Sequence, residues 1–359
     1  MSSTASKSDL ASATSARVSV TAVFGVLIAI VVLGTIYSAG RGQLPISPGE
    51  VVGSILRKVG ISGGAEMTHP NGDVTLWNVR FPRIAMALLV GAALAVAGAV
   101  MQGIFGNPLA EPSVIGVSSG AAVGACAAIV WKVAWFGAYT TPVFAFVTSL
   151  IMTFAVYAMS RRDGKAEVVT IVLMGIAVNA LASGLVGWFV FMGDTAAREQ
   201  IVFWQLGSLN GSRWQQVWAV APLIGIGLIG SVLIARQLDL LALGERSARH
   251  LGVNVERLRL IAIVLSSLLV GPAVAFSGII GFVGLIVAHL IRMLIGPAHR
   301  RLIPAAALGG ASVLLIADVI ARTAKDYADL PIGMLTAVVG GPTFFFLIRK
   351  TRKHAGGWA

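Results

Sequence analysis

Apolar runs long enough to cross a lipid bilayer recur from one end of this chain to the other, and they decide most of what it can become. A bilayer core about 30 Å thick asks for about 20 helical residues per crossing. Nothing in that core satisfies a bare backbone amide, so runs of this length must be helical. Candidate spans fall at 18–38, 83–103, 114–133, 140–160, 168–192, 215–235, 259–277, 279–297, 303–321 and 331–349. Composition agrees, because 57% of the 359 residues are hydrophobic and only 12% are charged. Soluble domains carry about a quarter charged residues. The 42 glycines, many of them inside the runs, favour tightly packed helices. The expected fold is an all-α polytopic membrane protein with ten transmembrane helices.

An even number of crossings puts both termini on one side. The larger share of the 27 Lys and Arg residues then falls on segments facing that side, which marks it as cytoplasmic. The net charge of +12 therefore reads as orientation, with no nucleic-acid partner implied. Residues 1–17, rich in Ser and Ala, are expected to form a flexible cytoplasmic tail, 18–349 the membrane domain, and 350–359 a second cytoplasmic tail. The first run lacks a small-x-small cleavage site and is kept as a span. In the outer connection 41–79, SPGEVVGSILRKVG predicts a short capped helix outside the bilayer.

Several chemistries are excluded. The single cysteine, Cys126, forbids an intrachain disulfide and reads as a small core filler. The five histidines lack a ligand spacing, so no metal site is expected. No G-x-x-x-x-G-K-[ST] occurs; DGKAE at 163–167 lacks the first glycine and the Ser/Thr, so this chain does not hold ATP in a P-loop and is not expected to be an enzyme. GVSSG at 116–120 matches the hydrolase nucleophile pattern formally, but it opens a transmembrane run where a strand-to-helix elbow is needed. An intramembrane hydrolase centred on Ser118 is one competing class. An ion-coupled secondary carrier is another, although Asp318 is the only acid placed within a span and such carriers need buried coupling charges.

Four constellations stand out. Arg80 and Arg83, in RFPR, sit at an outer mouth with Pro82 suited to a first helical turn. At i, i+3 they share a face and repel, at what is expected to be the positive end of the helix dipole. They are either interface anchors or a pair awaiting an external carboxylate. Arg322 lies at the same level, four residues after Asp318, which offers it an i, i+4 partner. The outer acids Glu50, Glu66, Asp73, Asp194, Glu199, Asp326 and Asp329 make any basic docking rim local. On the inner side, loop 236–258 is split by Gly244 and Gly252 into short amphipathic pieces. It is either an interfacial helix or a plug for a cytoplasmic partner, with Leu240, Leu241 and Leu251 on one side. Gly278, Gly281 and Gly284 form a bare ridge or a bent segment, and His289 beyond them is expected to hydrogen-bond a neighbouring helix. Finally, Gln102, Asn107 and Pro108 belong to an inner turn closed by Pro112, where the two amides are expected to satisfy backbone groups.

Six segments carry a resemblance: RFPR (80–83), GAALAVAGAVMQGIFGNPLAEPSVIGVSSGA (91–121), ALGERSARHLGV (242–253), GIIGFVGLIVAHLIR (278–292), HRRLIPAAALGGASVLLIADVIAR (299–322) and LPIGMLTAVVGGPTFFFLI (330–348). In this order, over nearly the whole chain, they resemble the FecCD-type permeases of binding-protein-dependent ABC importers, which bring haem, ferric siderophores or cobalamin into bacteria. Val287-Ala288-His289 departs from the family's Val-Pro-His, which puts a proline kink there in doubt. The resemblance implies a homodimer in the bacterial cytoplasmic membrane with a central path. It also implies two copies of a separate ATPase that bind ATP and Mg, and an extracytoplasmic substrate-binding lipoprotein. No cofactor is implied on this chain. Arg80, Arg83 and Arg322 match the arginines that meet glutamates of the binding protein. Leu241, Gly244, Glu245, Ala248, Leu251 and Gly252 fall in the ATPase-coupling segment, while Gln102, Asn107, Pro108, Gly278, Gly281, Gly284, His289 and Asp318 are structural or gating candidates. MQGIFGNPLAEPSVIGVSSGAAVG and AVNALASG resemble the haem branch, so haem is the implied ligand, with a ferric siderophore or cobalamin as alternatives.

Overall fold

In the computed structural model, which describes residues 19–61, 63–162, 165–325 and 328–354, every predicted apolar run contains a helix. The order is α1 (Val20–Gly40), α2 (Pro48–Lys58), α3 (Gly72–Thr75), a π-turn (Leu76–Arg80), α4 (Phe81–Phe105), α5 (Val117–Val130), α6 (Thr140–Met159), α7 (Val168–Met192), α8 (Thr195–Leu206), α9 (Trp214–Leu241), α10 (Glu245–His250), α11 (Val255–Ser277), α12 (Val283–Ile295), α13 (His299–Thr323) and α14 (Ile332–His354). Among the described residues seven helical segments are long and apolar enough to cross a membrane, with α3 through α4 counted as one. Three shorter apolar helices, α5, α12 and the first part of α14, complete the expected set. A two-residue antiparallel ladder, Arg161–Arg162 with Lys165–Ala166, closes one inner connection. The expected tail 1–17 lies outside the described residues, and α14 continues through 350–354.

α4 is the axis of the bundle. It packs against α9, α11, α12 and α13, and it is buried almost throughout. Its partners approach to backbone contact because glycine faces glycine. A Cβ on Gly91 would collide with the Gly310 carbonyl of α13, and one on Gly98 with the Gly284 carbonyl of α12. In lipid, where apolar side chains gain little by leaving one apolar medium for another, such van der Waals seams and interhelical hydrogen bonds hold helices together.

Two helices depart from the predicted spans. α12 has 13 residues, about 20 Å of helix, too short for a full crossing. It begins beside Leu94 and Gly98, deep within the length of α4, because residues 278–282 are not helical. The three glycines therefore do not form one ridge. Gly284 meets α4, Gly278 turns the chain at φ 69° against the Trp204 carbonyl, and a Cβ on Gly281 would meet nothing within 4 Å. The second departure is α8, which lies between the predicted spans 168–192 and 215–235. Asp194 caps it by accepting the Ala197 N–H at 2.8 Å, and Ala197 and Ile201 bury against Cys126 and Ile129 of α5. Cys126 is the buried filler expected of it.

The predicted outer helix α2 carries a reciprocal Ser47–Glu50 capping box. The Glu50 carboxylate also accepts the Thr68 N–H at 2.7 Å. That bond, followed by those from Ser47, holds the Glu50 carboxyl down at about 2. Trp77 Nε1 donates to Ser54 Oγ at 3.0 Å and fastens α2 to the start of the long helix.

Two outcomes follow. Gly91→Ala is expected to cost about 1–3 kcal/mol through forced separation of α4 from α13, read as a lower melting temperature of the detergent-purified protein; an unchanged value would contradict the backbone seam. A carboxyl with a depressed pKa stabilises above its unfolded value and loses that contribution as pH falls through its folded one. The melting temperature of the wild type should therefore fall more steeply than that of Glu50→Gln on acidification from pH 5 to 3, with Glu50→Gln already lower at pH 7; parallel curves would contradict the capping role.

Candidate functional site

At the outer end, three arginines and two aspartates collect in one cluster. Pro82 removes a backbone donor and crowds the carbonyl of Asn78. The π-turn just before it absorbs that clash, with the Phe81 N–H reaching the Leu76 carbonyl. The helix therefore runs on from Gly72, and Arg80 and Arg83 are not at its dipole terminus as the sequence suggested. Arg80, 4% exposed, donates to the carbonyls of Ala39 and Leu44, where α1 ends and turns into its loop. Arg83 Nε donates to Asp318 Oδ1 at 2.8 Å, and its Nη1 to Asp329 Oδ2 at 2.7 Å. Arg322 holds the Arg41 carbonyl at 2.9 Å and both oxygens of Ser38, with its Nε 3.6 Å from Asp318 Oδ2.

Asp318 is fully buried and lies between Arg83 and Arg322. The i, i+4 contact read from the sequence is present, but the shorter bond is the non-local one from Arg83. Among the described residues the cluster holds three guanidinium groups and two carboxylates, and Arg83 Nη2 and Arg322 Nε have no hydrogen-bond partner. The arginines are thus neither loose interface anchors nor freely projecting; they are buried and bonded within the protein, Arg80 at 4% and Arg83 at 8% exposed. Asp326 lies outside the described residues.

At the inner end, α9 gives way to α10 at Gly244, whose φ of 98° only glycine adopts readily. Gly252, at φ 86°, makes the return turn into α11. Glu245 pairs with Arg259 of α11, which is 3% exposed, and Arg249 reaches Glu245 at 3.6 Å and Glu256 at 3.9 Å. α10 is therefore tied to α11 by charge and seated by Ala248, which is buried. Leu241 is buried and Leu251 is 58% exposed, so they do not share the apolar side expected from sequence. Leu243, 63% exposed, is the second apolar residue that this inner face presents.

Between these ends the non-helical stretch 278–282 needs its polar backbone satisfied. The Phe282 N–H, at a left-handed φ of 67°, donates to Glu111 Oε1 at 3.3 Å. Sequence reading assigned no role to Glu111; its only signal was a carboxylate next to a proline in an apolar run. Gln102 does not serve its own turn, because its Nε2 crosses to the Leu285 carbonyl of α12 at 3.2 Å. Asn107 does serve it, accepting the Leu109 N–H at 2.9 Å, and Pro108 beside it is exposed. His289 is half-buried and its Nδ1 has no hydrogen-bond partner among the described residues, where a bond to a neighbouring helix was expected. Asp239, also missed, binds both the backbone and Nδ1 of His299 at 2.7 Å. Ser119 pairs with Asn179 at 2.5 Å, and GVSSG opens the helix α5 and is not part of a strand-to-helix elbow.

The description "FecCD transport family" matches residues 18–350. The chain belongs to that family. It is 44% identical over 286 residues to the hemin transport system permease protein HmuU of Yersinia pestis, covering 79% of this chain and 85% of the relative. It is 39% identical over 284 residues to the vitamin B12 import system permease protein BtuC of Escherichia coli O9:H4 (strain HS), covering 79% and 86%. A solved structure of an inward-facing, metal-chelate type ABC transporter superposes with a TM-score of 0.79 at 33% identity, covering 92% of this chain and all of the other. Family and apolar helices together make this a multi-pass protein of the bacterial inner membrane.

Removing one partner of a buried ion pair leaves the other charge uncompensated. Arg83→Met is expected to destabilise the purified protein by about 3–5 kcal/mol, and adding Asp318→Leu should recover part of that loss. A single variant as stable as wild type would show that the bond is dispensable.

Proposed function

We propose that this FecCD-family ABC importer permease passes haem across the membrane, taking it from an extracytoplasmic binding protein. The observation that carries the haem reading is the 44% identity to a hemin permease, against 37–40% for the cobalamin permeases. Cobalamin is the second reading, supported by those same relatives.

The mechanism we derive has no chemistry on this chain. Two copies form the path, and two separate ATPase subunits bind beneath. The delivery protein docks at the outer end over Arg80, Arg83 and Arg322, which are buried and held by internal partners, so its glutamates must compete with those partners or meet the cluster's rim. Bracing lowers the ordering cost of docking, since these long side chains are already fixed. On the inner side α10, with Leu243 and Leu251 outward, inserts into the ATPase and is pulled with it. Its charge bond to Arg259 carries that displacement into α11, which packs on α4. Docking and nucleotide each bias one equilibrium through their differing affinities for its states.

In proteoliposomes holding the permease, its ATPase and its binding protein, ATP should drive accumulation of haem, and cobalamin should not compete. Cobalamin uptake with no haem uptake would replace the haem reading. Gly244→Pro forces a φ near −65° on a residue at 98°. It is expected to leave ATP hydrolysis running while uptake falls by about tenfold or more, the loss of a ~1.4 kcal/mol coupling; normal uptake would remove α10 from the transmission.

A further inference from the structure

A cavity of about 500 Å³ opens at the inner end of α4, in the size range of small-molecule sites. Its walls include Gln102 and Gly103 of α4, the Leu241–Glu245 turn, Arg259, Arg292 at the end of α12, and His299 at the start of α13. The charges on these walls do not balance evenly. Arg259 is answered by Glu245 and Glu256, with Arg249 shared between them. Asp239 gives its Oδ1 to His299. Arg292 forms no ion pair among the described residues; its one hydrogen bond goes to the neutral Gln102 Oε1 at 3.5 Å, and its buried Nε has no partner. His299 is 1% exposed, and its Nε2 is likewise without a partner.

Asp239 is the carboxylate within electrostatic reach of Arg292, but it is bonded to His299, so the half-buried guanidinium is left short of charge-assisted partners. Its planar fork suits the paired oxygens of a phosphate. Arg300 and Arg301, exposed on the first turn of α13, raise the local positive potential.

We propose that this cavity is a binding site for a phosphate ester, gripped by Arg292. The ester is either the headgroup of an anionic phospholipid of the inner leaflet or a soluble phosphate ester of the cytoplasm. The proposal concerns the chain alone and stands whether or not the transported ligand is haem.

The test uses the full-length permease in a phosphate-free maltoside detergent. Binding of radiolabelled glycerol 3-phosphate is measured at constant ionic strength in chloride. Phosphatidylglycerol retained through delipidation is counted by native mass spectrometry. Saturable binding of the soluble ester identifies a cytoplasmic source, and retained phosphatidylglycerol with no soluble binding identifies the lipid. In either case Arg292→Gln should weaken binding by about tenfold or more, the loss of one charge-assisted contact, while Arg292→Lys should keep most of it. Ala242→Trp fills the cavity from its exposed rim without touching a charge, and should also block binding if Arg292→Gln does not fold. Binding that survives both Arg292→Gln and Ala242→Trp, or no binding of either probe to the wild type, overturns the proposal.

Discussion

The structure depends on helices meeting at their backbones. α4 lies in the middle of the bundle with Gly91 against Gly310 and Gly98 against Gly284, at separations no side chain would permit. Water drives no such contact inside a bilayer, so shape alone must do it, and shape is unforgiving. Everything placed at the two ends inherits its position from this seam. Arg83 can reach Asp318 because α4 and α13 are locked together below them. Gln102 can reach the Leu285 carbonyl because α12 starts against Gly98.

The two ends use charge differently. Outside, Asp318 is buried, bonded to Arg83 through Oδ1 and facing the Arg322 Nε at 3.6 Å through Oδ2, and the arginines around it are oriented by internal partners. Inside, Glu245 is half-exposed and bound to a buried Arg259, a bond that can yield when its outer partner is drawn away. A rigid seat above and a yielding link below suit a protein that receives one partner and is moved by another. The break at 278–282 lies between them, its free N–H held by Glu111.

Much of the fold was legible in the sequence because length and hydropathy suffice for helices that cross a membrane. What failed did so for local reasons. GIIGF at 278–282 is as apolar as any span, and its glycines allow a ridge or a bend equally; the bend is what forms, and the carboxyl that satisfies it lies 171 residues away. α8 mixes Arg198, Glu199 and Gln200 with apolar residues and is 12 residues long, so hydropathy marks no crossing there. Arg80, Arg83 and Arg322 were found from their motifs, but their surroundings were not. The Arg83–Asp318 bond joins residues 235 apart, and the Arg80 contacts are to backbone carbonyls, which leave no trace in side-chain pattern. Gly244 was legible because a glycine between two short amphipathic pieces has few other uses.

The central claim is that this chain is moved by its partners through α10 and has no driving reaction of its own. The single cysteine makes the most direct measurement simple: Cys126→Ser gives a clean background, and Arg246→Cys puts one spin label on α10 of each copy in the proposed dimer. Pulsed electron paramagnetic resonance on the assembled transporter should show the distance between the two labels change when ATP replaces ADP. An unchanged distance, in a sample that imports its ligand at the normal rate, would contradict the account.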